Sequence, residues 1–500
     1  MDTEELTRRV RLLEQKLTDG TLHIAPHLVD GFEDSLGKIR FDGAGEVVPE
    51  SVDSRIRSML TAVAYFHDRE EWKEAVTLRE IQEAYFVRLV HTFSEPYEAM
   101  VKAGATPYQF AEWFSSDDSR VKETIEVADE FVKEILQFWE NIADPAWIHL
   151  EDEVSSKAVF SGELFPDGSE NIASSTEIYF DTTVLPDPFI KIAPLLQFME
   201  PNERSQEVLR LALQALQYRD LVLTDLPIPI VAILPDKHNS DEGYRDFIHS
   251  QAQMDAVRHA SGLFGESFDE IDEVADYLNR FTDSKSLVRS LKKPDELVFS
   301  TDWPGDLSEH IDRTIAEHTG KIAGESAGAA VLMQLTGRFA QAHDSMQRSR
   351  DLRGTPVIRA ETSWRWFNWM LRGNARRFDA QALEALHVSR ALHGTVSKEM
   401  SWIGSVPAEA LIAIRKADAL DEIRSVLGEG LGELLQARPE NFHRTGDRVF
   451  ENLDSAFADH ERKLEELRGK KWKFAGRDIG SFIVVGGVEL AAAITGIPLY

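Results

Sequence analysis

The chain has 500 residues, with 86 acidic against 55 basic side chains and no cysteine. A formal net charge of −31 sets the surface as a whole against nucleic acid and anionic lipid. The lack of cysteine excludes disulfides, zinc–thiolate and iron–sulfur sites and thiol nucleophiles. With 43% hydrophobic and 28% charged residues the composition is that of a folded protein, and the length exceeds one hydrophobic core, so two or three domains are expected.

The opening MDTEELTRRV has no basic stretch followed by an apolar one, which gives the expectation of a cytoplasmic protein. Leu6, Val10, Leu13 and Leu17 follow the 4-3-4 spacing of a helical seam. Two heptads are too short to dimerise alone, so this seam is expected to pack on its own domain. Residues 50–150 read as a helical array. Leu78, Ile81, Tyr85, Leu89 and Phe93 share one face, with Pro96 expected to end or kink that helix. Val121, Ile125, Ala128, Phe131, Ile135, Phe138 and Ile142 share another, in a helix expected to stop before Pro145.

Near residue 155 the pattern changes. Glu177–Thr183 and Ile228–Leu234 read as short strands, each closed by proline and aspartate. Between them helices are expected at about 188–199 and 203–221, the second capped by Asn202, and a further helix at about 241–263. Strand, helices, strand, helix is the order of a small α/β unit. Ser267 and Glu270 then have capping-box spacing, and Gly324, Ala327, Gly328 and Ala329 are small enough to let another helix approach closely. Helices near 322–348, 407–427 and 443–468 complete the array.

The whole is a mainly α protein, a multi-helical array with a small α/β insert around residues 155–305. The expected division is a helical domain over 1–150, the α/β region over 151–305, a second helical domain over 306–475, and an apolar, glycine-rich segment over 476–500.

Three constellations could carry chemistry. The first is acidic: Asp181 ends one candidate strand and Asp236 the second, Asp302 follows the apolar run 297–301, and Asp255 sits mid-helix. Carboxylates at strand ends converge in open α/β sheets, and such a set could act catalytically, with Asp181 and Asp302 holding Mg²⁺ or Mn²⁺ for phosphodiester hydrolysis. The run IYFDTTVL resembles the opening motif of PIN-like ribonucleases, and VFSTDW resembles their closing Thr–Asp motif. The resemblance covers about 120 residues and implies a metal-dependent nuclease. The acid that family carries at the end of its second element is absent from PIPIVAIL, and the gap before Asp302 is longer than in the family. The plain alternative is that these aspartates cap helices and terminate strands.

The second lies between Arg338 and Arg377, where nine arginines stand against three acids, Asp344, Asp351 and Glu361. At ~100° per residue, Arg365, Arg372 and Arg376 fall within an arc of about 40°, with Trp364 and Trp369 on the remaining arc. Such a stripe could bind an anion, nucleic acid or an anionic lipid surface, or could pair with the protein's own carboxylates.

The third is the C-terminus. Residues 479–500 form a stretch of 22 with a single ionisable group, Glu489, preceded by five positive charges between Arg468 and Arg477. A helix of that length spans about 33 Å, enough to cross a bilayer, so residues 468–500 are a candidate membrane contact that would anchor the chain to the inner face of the membrane. A buried core element fits the same residues, since Glu489 and the Gly486–Gly487 pair both oppose a spanning helix.

No phosphate loop, dinucleotide fingerprint, nucleophile elbow or zinc signature is present. Asp255 and His259 share a helix face with His249 nearby, without metal-ligand spacing. The primary expectation is therefore a helical interaction or regulatory protein, with a protein partner and a membrane contact. A metal-dependent phosphodiesterase and an Arg/Trp anion-binding protein are the alternatives.

Overall fold

The computed structural model describes residues 3–22, 29–166, 171–177, 180–237, 241–318 and 326–375, together with 401–402, 408–416 and three dipeptides at 473–474, 477–478 and 486–487. Within these, helix dominates: α1 (Thr3–Thr18), α2 (Val29–Leu36), α3 (Ser54–Ala75), α4 (Leu78–Ala103), α5 (Pro107–Ser115) and α6 (Asp118–Asp152) precede the first strand, β1 (Lys157–Phe160). There follow α7 (Ile172–Thr176), β2 (Thr182–Pro186), α8 (Pro188–Leu196), α9 (Pro201–Leu216), α10 (Arg219–Val222), β3 (Val231–Leu234) and α11 (Glu242–Phe264). Then come α12 (Ile271–Leu278), α13 (Ser284–Ser290), α14 (Leu307–His318), α15 (Ala327–Asp351), β4 (Thr355–Val357), α16 (Glu361–Ala375) and α17 (Ala408–Lys416).

The chain divides into two compact units, one made of residues 1–81 with 144–149, the other of residues 82–143 with 150–500. In the first unit the N-terminal seam finds its partner within the unit. Leu6, Val10 and Leu13 bury against Phe32, Val47, Val52, Ile56 and Leu60, the last two lying one turn apart on α3, whose N-cap is Asp53 accepting from Ile56 N.

The proline expected to stop a helix, Pro145, does not, and the chain also stays helical past Pro96, which was expected to end or kink its helix. Pro96 lies inside α4 and Pro145 inside α6. A proline interrupts the ladder at a cost of about 3 kcal/mol. Beyond Pro145 the next turn buries Ala146, Trp147, Ile148 and Leu150, which outweighs that cost at ~1.5–3 kcal/mol for each large apolar side chain.

In the second unit a four-stranded, wholly parallel sheet runs in the order β3-β2-β1-β4. The strands are three to five residues long and buried at every position, so they read as short apolar runs rather than alternating ones. This sheet corrects the strand boundaries read from sequence. The strand after residue 177 is Thr182–Pro186, the one before Asp236 is Val231–Leu234, and the run at 297–301 is not a strand. Its fourth strand comes from residues 355–357, beyond the 155–305 region. The edge strand β3 is covered by a side chain: Gln82 of α4 donates Nε2 to Ile233 O at 2.8 Å and accepts from Ile233 N at 3.0 Å, imitating a neighbouring strand.

The remaining helices of this unit enclose a second apolar core. Ala252, Ala256 and Ala260 repeat every four residues on α11 and bury with Leu278 of α12, Val331, Leu335 and Phe339 of α15, and Trp366 and Met370 of α16. Alanine at that spacing allows α11 to lie close along α15. Caps differ from the sequence reading at two places. Glu200, not Asn202, closes a capping box with Glu203 at the start of α9, and the Ser267/Glu270 pair forms no box, Glu270 itself being the N-cap of α12.

The helix read at 443–468 lies outside the described residues, as does most of 479–500. Of that segment only Gly486–Gly487 is described, pairing antiparallel with Ser401–Trp402. No helix among the described residues is long and apolar enough to cross a membrane.

Candidate functional site

In an open parallel sheet the expected ligand crevice lies beyond the carboxyl ends of the strands, where the strand order reverses. Here that point is between β1 and β4, and the protein fills it itself. Gly162, at φ 83°, follows β1, and a Cβ there would lie 2.8 Å from Ile358 Cγ2. Its carbonyl accepts from Gln341 Nε2 at 2.8 Å and Ser363 Oγ at 2.6 Å, and Glu163 Oε1 accepts from Ala360 N at 3.0 Å.

The acids singled out from sequence are not brought together. Asp181 precedes β2, at the amino edge of the sheet, where Oδ2 accepts from Ser156 N at 2.9 Å and Ser156 Oγ at 2.7 Å. Arg415 of α17 lies 3.6 Å from its other oxygen. Asp236 lies beyond the opposite, carboxyl edge, two residues after β3, and pairs with Lys191 of α8 at 3.3 Å. Asp302 is exposed on the irregular segment before α14. The strand reading failed for Asp181 because the buried run is TTVLP, one residue later. Among the described residues no group of three or more His, Asp and Glu side chains is arranged to hold a metal ion.

Around Asp236 the structure gathers ionisable groups that the sequence did not reveal. Asp344 of α15 accepts from Tyr244 Oη of α11 at 3.0 Å. Desolvation, and then the Asp236 carboxylate, push Asp344 up to about 6 against the opposing pull of Lys191 and Arg348. The Arg348 guanidinium is fully buried with no hydrogen-bond partner on any of its three nitrogens. Two cations, Lys191 and Arg348, thus face the two carboxylates Asp236 and Asp344.

A different balance holds in a cleft formed by α11, α15, α16 and the turn at 293–296. The cleft has a volume of ≈ 80 Å³ and is lined by Asp255, Arg258, His259, Lys293, Glu296, Phe339, Trp369 and Arg372, with Gly262 and Gly373. Asp255, a candidate catalytic acid from sequence, meets here Arg372 and Trp369, candidates for anion binding. Asp255 is nearly buried, and each of its oxygens is taken, Oδ1 by Arg258 Nη1 at 2.7 Å and Oδ2 by His343 Nε2 at 2.8 Å. His259 bonds Glu296 O at 2.7 Å and sits among Phe339, Trp366 and Trp369, with ring centroids 5.0–5.5 Å away. Burial lowers its pKa, which keeps the ring neutral. Lys293 lies 3.4 Å from Glu296.

Arg372 completes the wall, and its Nε is buried with no hydrogen-bond partner. Among the described residues three cations thus line the cleft against two carboxylates, one positive charge in excess.

The rest of the arginine stripe is dispersed. Arg365 pairs with Glu361 at 2.8 Å on the surface of α16, and Arg376 lies outside the described residues. Trp364 is buried in the core, and of the two candidate tryptophans it is Trp369 that lines the cleft. Sequence reasoning missed Arg258, Lys293 and His343. The run MDAVRH did hold a signal for Arg258, which stands one turn after Asp255; Lys293 and His343 arrive from distant elements.

No family model, no curated protein and no solved structure matches the chain.

Proposed function

We propose that this is a helical regulatory protein that works by binding a small anion in the cleft between α11 and α16. The observation that carries this reading is Arg372, a guanidinium whose Nε is buried unpartnered in a cleft already holding Arg258 and Lys293. A buried donor without an acceptor costs roughly 1–3 kcal/mol, more when charged, and an anion in the cleft recovers it. The space of ≈ 80 Å³ corresponds to about six waters at roughly 10–15 Å³ each, which suits a compact oxyanion and not a polymer. Nucleic acid as the ligand is opposed, among the described residues, by the burial of Trp364 and the pairing of Arg365 with Glu361.

Calorimetric titration with inorganic phosphate and with sulfate tests the reading. Binding is expected in the wild type, weakened about tenfold to a hundredfold in Arg372→Gln, as for loss of a charge-assisted hydrogen bond. Absence of anion binding, or binding that Arg372→Gln and Lys293→Gln both leave unchanged, would refute it.

A further inference from the structure

The charges and the walls of the cleft together limit what it can hold. Asp255 is paired with Arg258, and Glu296 with Lys293. Arg372 is the cation left over among the described residues of the cleft, its Nε buried without a hydrogen bond. One unmatched charge is neutralised by a monoanion. A second negative charge would have to draw Arg258 from Asp255 or Lys293 from Glu296, leaving a carboxylate without its cation. The Nε–H of a guanidinium and the Nη–H beside it point the same way, and that fork matches the two oxygens of a carboxylate.

Much of the remaining wall is aromatic. Trp369 stands three residues before Arg372 on α16, and so on the same face. Its ring centroid is 5.0 Å from that of His259, which lies 5.3 Å from that of Phe339. Burial keeps His259 neutral, so the three rings form a surface without formal charge. Room for about six waters is more than a carboxylate group fills. Gly262 of α11 adds to that room: a Cβ there would meet only Lys293 Nζ, at 3.8 Å. A bare inorganic anion would satisfy Arg372 and leave the aromatic wall wet, whereas an apolar body beside the carboxylate would cover it.

We propose, resting on the anion-binding reading, that the cleft binds an organic monocarboxylate with a compact apolar body such as one aromatic ring. The carboxylate lies on Arg372, the body lies against Trp369, His259 and Phe339, and the missing side chain of Gly262 makes space for it. Binding changes no covalent bond.

Calorimetric titration of the full-length protein at about pH 7, where benzoate and acetate are both ionised, tests this. Benzoate carries the charge and the ring, acetate the charge alone, benzamide the ring alone, and terephthalate the ring with two charges. Benzoate should bind at least about tenfold more tightly than acetate, the worth of a modest apolar contact. Benzamide should bind at least about tenfold more weakly than benzoate, as loss of a charge-assisted pair requires. Terephthalate should also bind more weakly than benzoate. Gly262→Leu, which improves helix propensity and places a side chain in the cleft, should weaken benzoate at least about tenfold. Should that variant fail to fold, Trp369→Leu decides: it should remove most of the advantage of benzoate over acetate.

Benzoate no tighter than acetate, terephthalate tighter than benzoate, or benzoate affinity untouched by either substitution overturns this inference. Binding of acetate, phosphate or sulfate that depends on Arg372 would then leave the anion-binding reading standing. Benzamide as tight as benzoate also overturns the inference, since Arg372 would contribute nothing to the ligand. Failure of every anion to bind removes the reading beneath it.

Discussion

Gly328 of α15 passes so close to α12 that a Cβ on it would stand 1.9 Å from the carbonyl oxygen of Leu278. The same backbone approach is bonded, Gly328 N donating to Phe281 O at 3.0 Å. The obstacle to a side chain is main chain and cannot rotate away. Gly328→Ala is therefore expected to destabilise the protein by about 3 kcal/mol, at the upper end for overpacking, despite the better helix propensity of alanine. Urea unfolding measures it; a neutral or stabilising effect would mean that α12 and α15 separate freely.

Asp187 carries the pH dependence. Its carboxylate caps α8 through Ile190 N at 2.8 Å and is wholly buried beside Tyr85 and Trp139, whose polar atoms only partly offset the loss of water. Burial raises its pKa from 3.8 to about 6. The folded state then binds the proton more tightly than the unfolded one, so this group stabilises fully below about pH 4 and its contribution is lost as pH rises to about 6. Asparagine caps a helix as well as aspartate and carries no charge. Asp187→Asn should thus gain stability relative to the wild type as pH increases from 4 to 7, levelling off near about 3 kcal/mol for a shift of roughly two units. Denaturant midpoints across that range would show a constant difference if the carboxylate were solvated.

Asp181 is expected to act on stability. It ties the start of β2 to Ser156 through two hydrogen bonds, and Arg415 donates to its main-chain carbonyl at 2.9 Å. Asp181→Ala should cost about 2 kcal/mol and lower the melting temperature. A fully stable Asp181→Ala that loses a Mg²⁺- or Mn²⁺-dependent cleavage activity would restore the nuclease expectation.

Arg365 and Arg372 separate the helical stripe from the cleft. Arg365→Gln breaks only a half-exposed pair with Glu361, worth roughly 0.3–0.5 kcal/mol, and should leave anion affinity within twofold of the wild type. Equal losses in Arg365→Gln and Arg372→Gln would return the binding surface to the exposed face of α16.

The helices were legible in sequence because their apolar residues recur at the period of the helix, and burial then selects that face: Leu6, Val10 and Leu13, or Ala128, Phe131 and Ile135, lie in the core as their spacing requires. The small residues beginning α15 likewise announced a close approach, which Gly328 makes. The sheet was half legible. A strand buried on both faces has no period of two to betray its register, so the boundary of β2 slipped and β4 went unseen. Pro145 was misread because local propensity was outweighed by the apolar turn beyond it, Ala146, Trp147, Ile148 and Leu150.

The cleft was fixed by tertiary structure alone. Sequence distances between Asp255, Lys293, His343 and Arg372 carry no period. Their meeting depends on α11 lying along α15 and on α16 closing over both. Sequence spacing did place Arg365, Arg372 and Arg376 on one helical face, since that follows from the turn of a single helix. Which of them would find a carboxylate one turn away, and which would be left facing a cavity, is decided by neighbours that the helix itself does not contain. Local periodicity determines which face a residue takes, while the charge balance of a site sums over elements that only the packed chain brings within reach of one another.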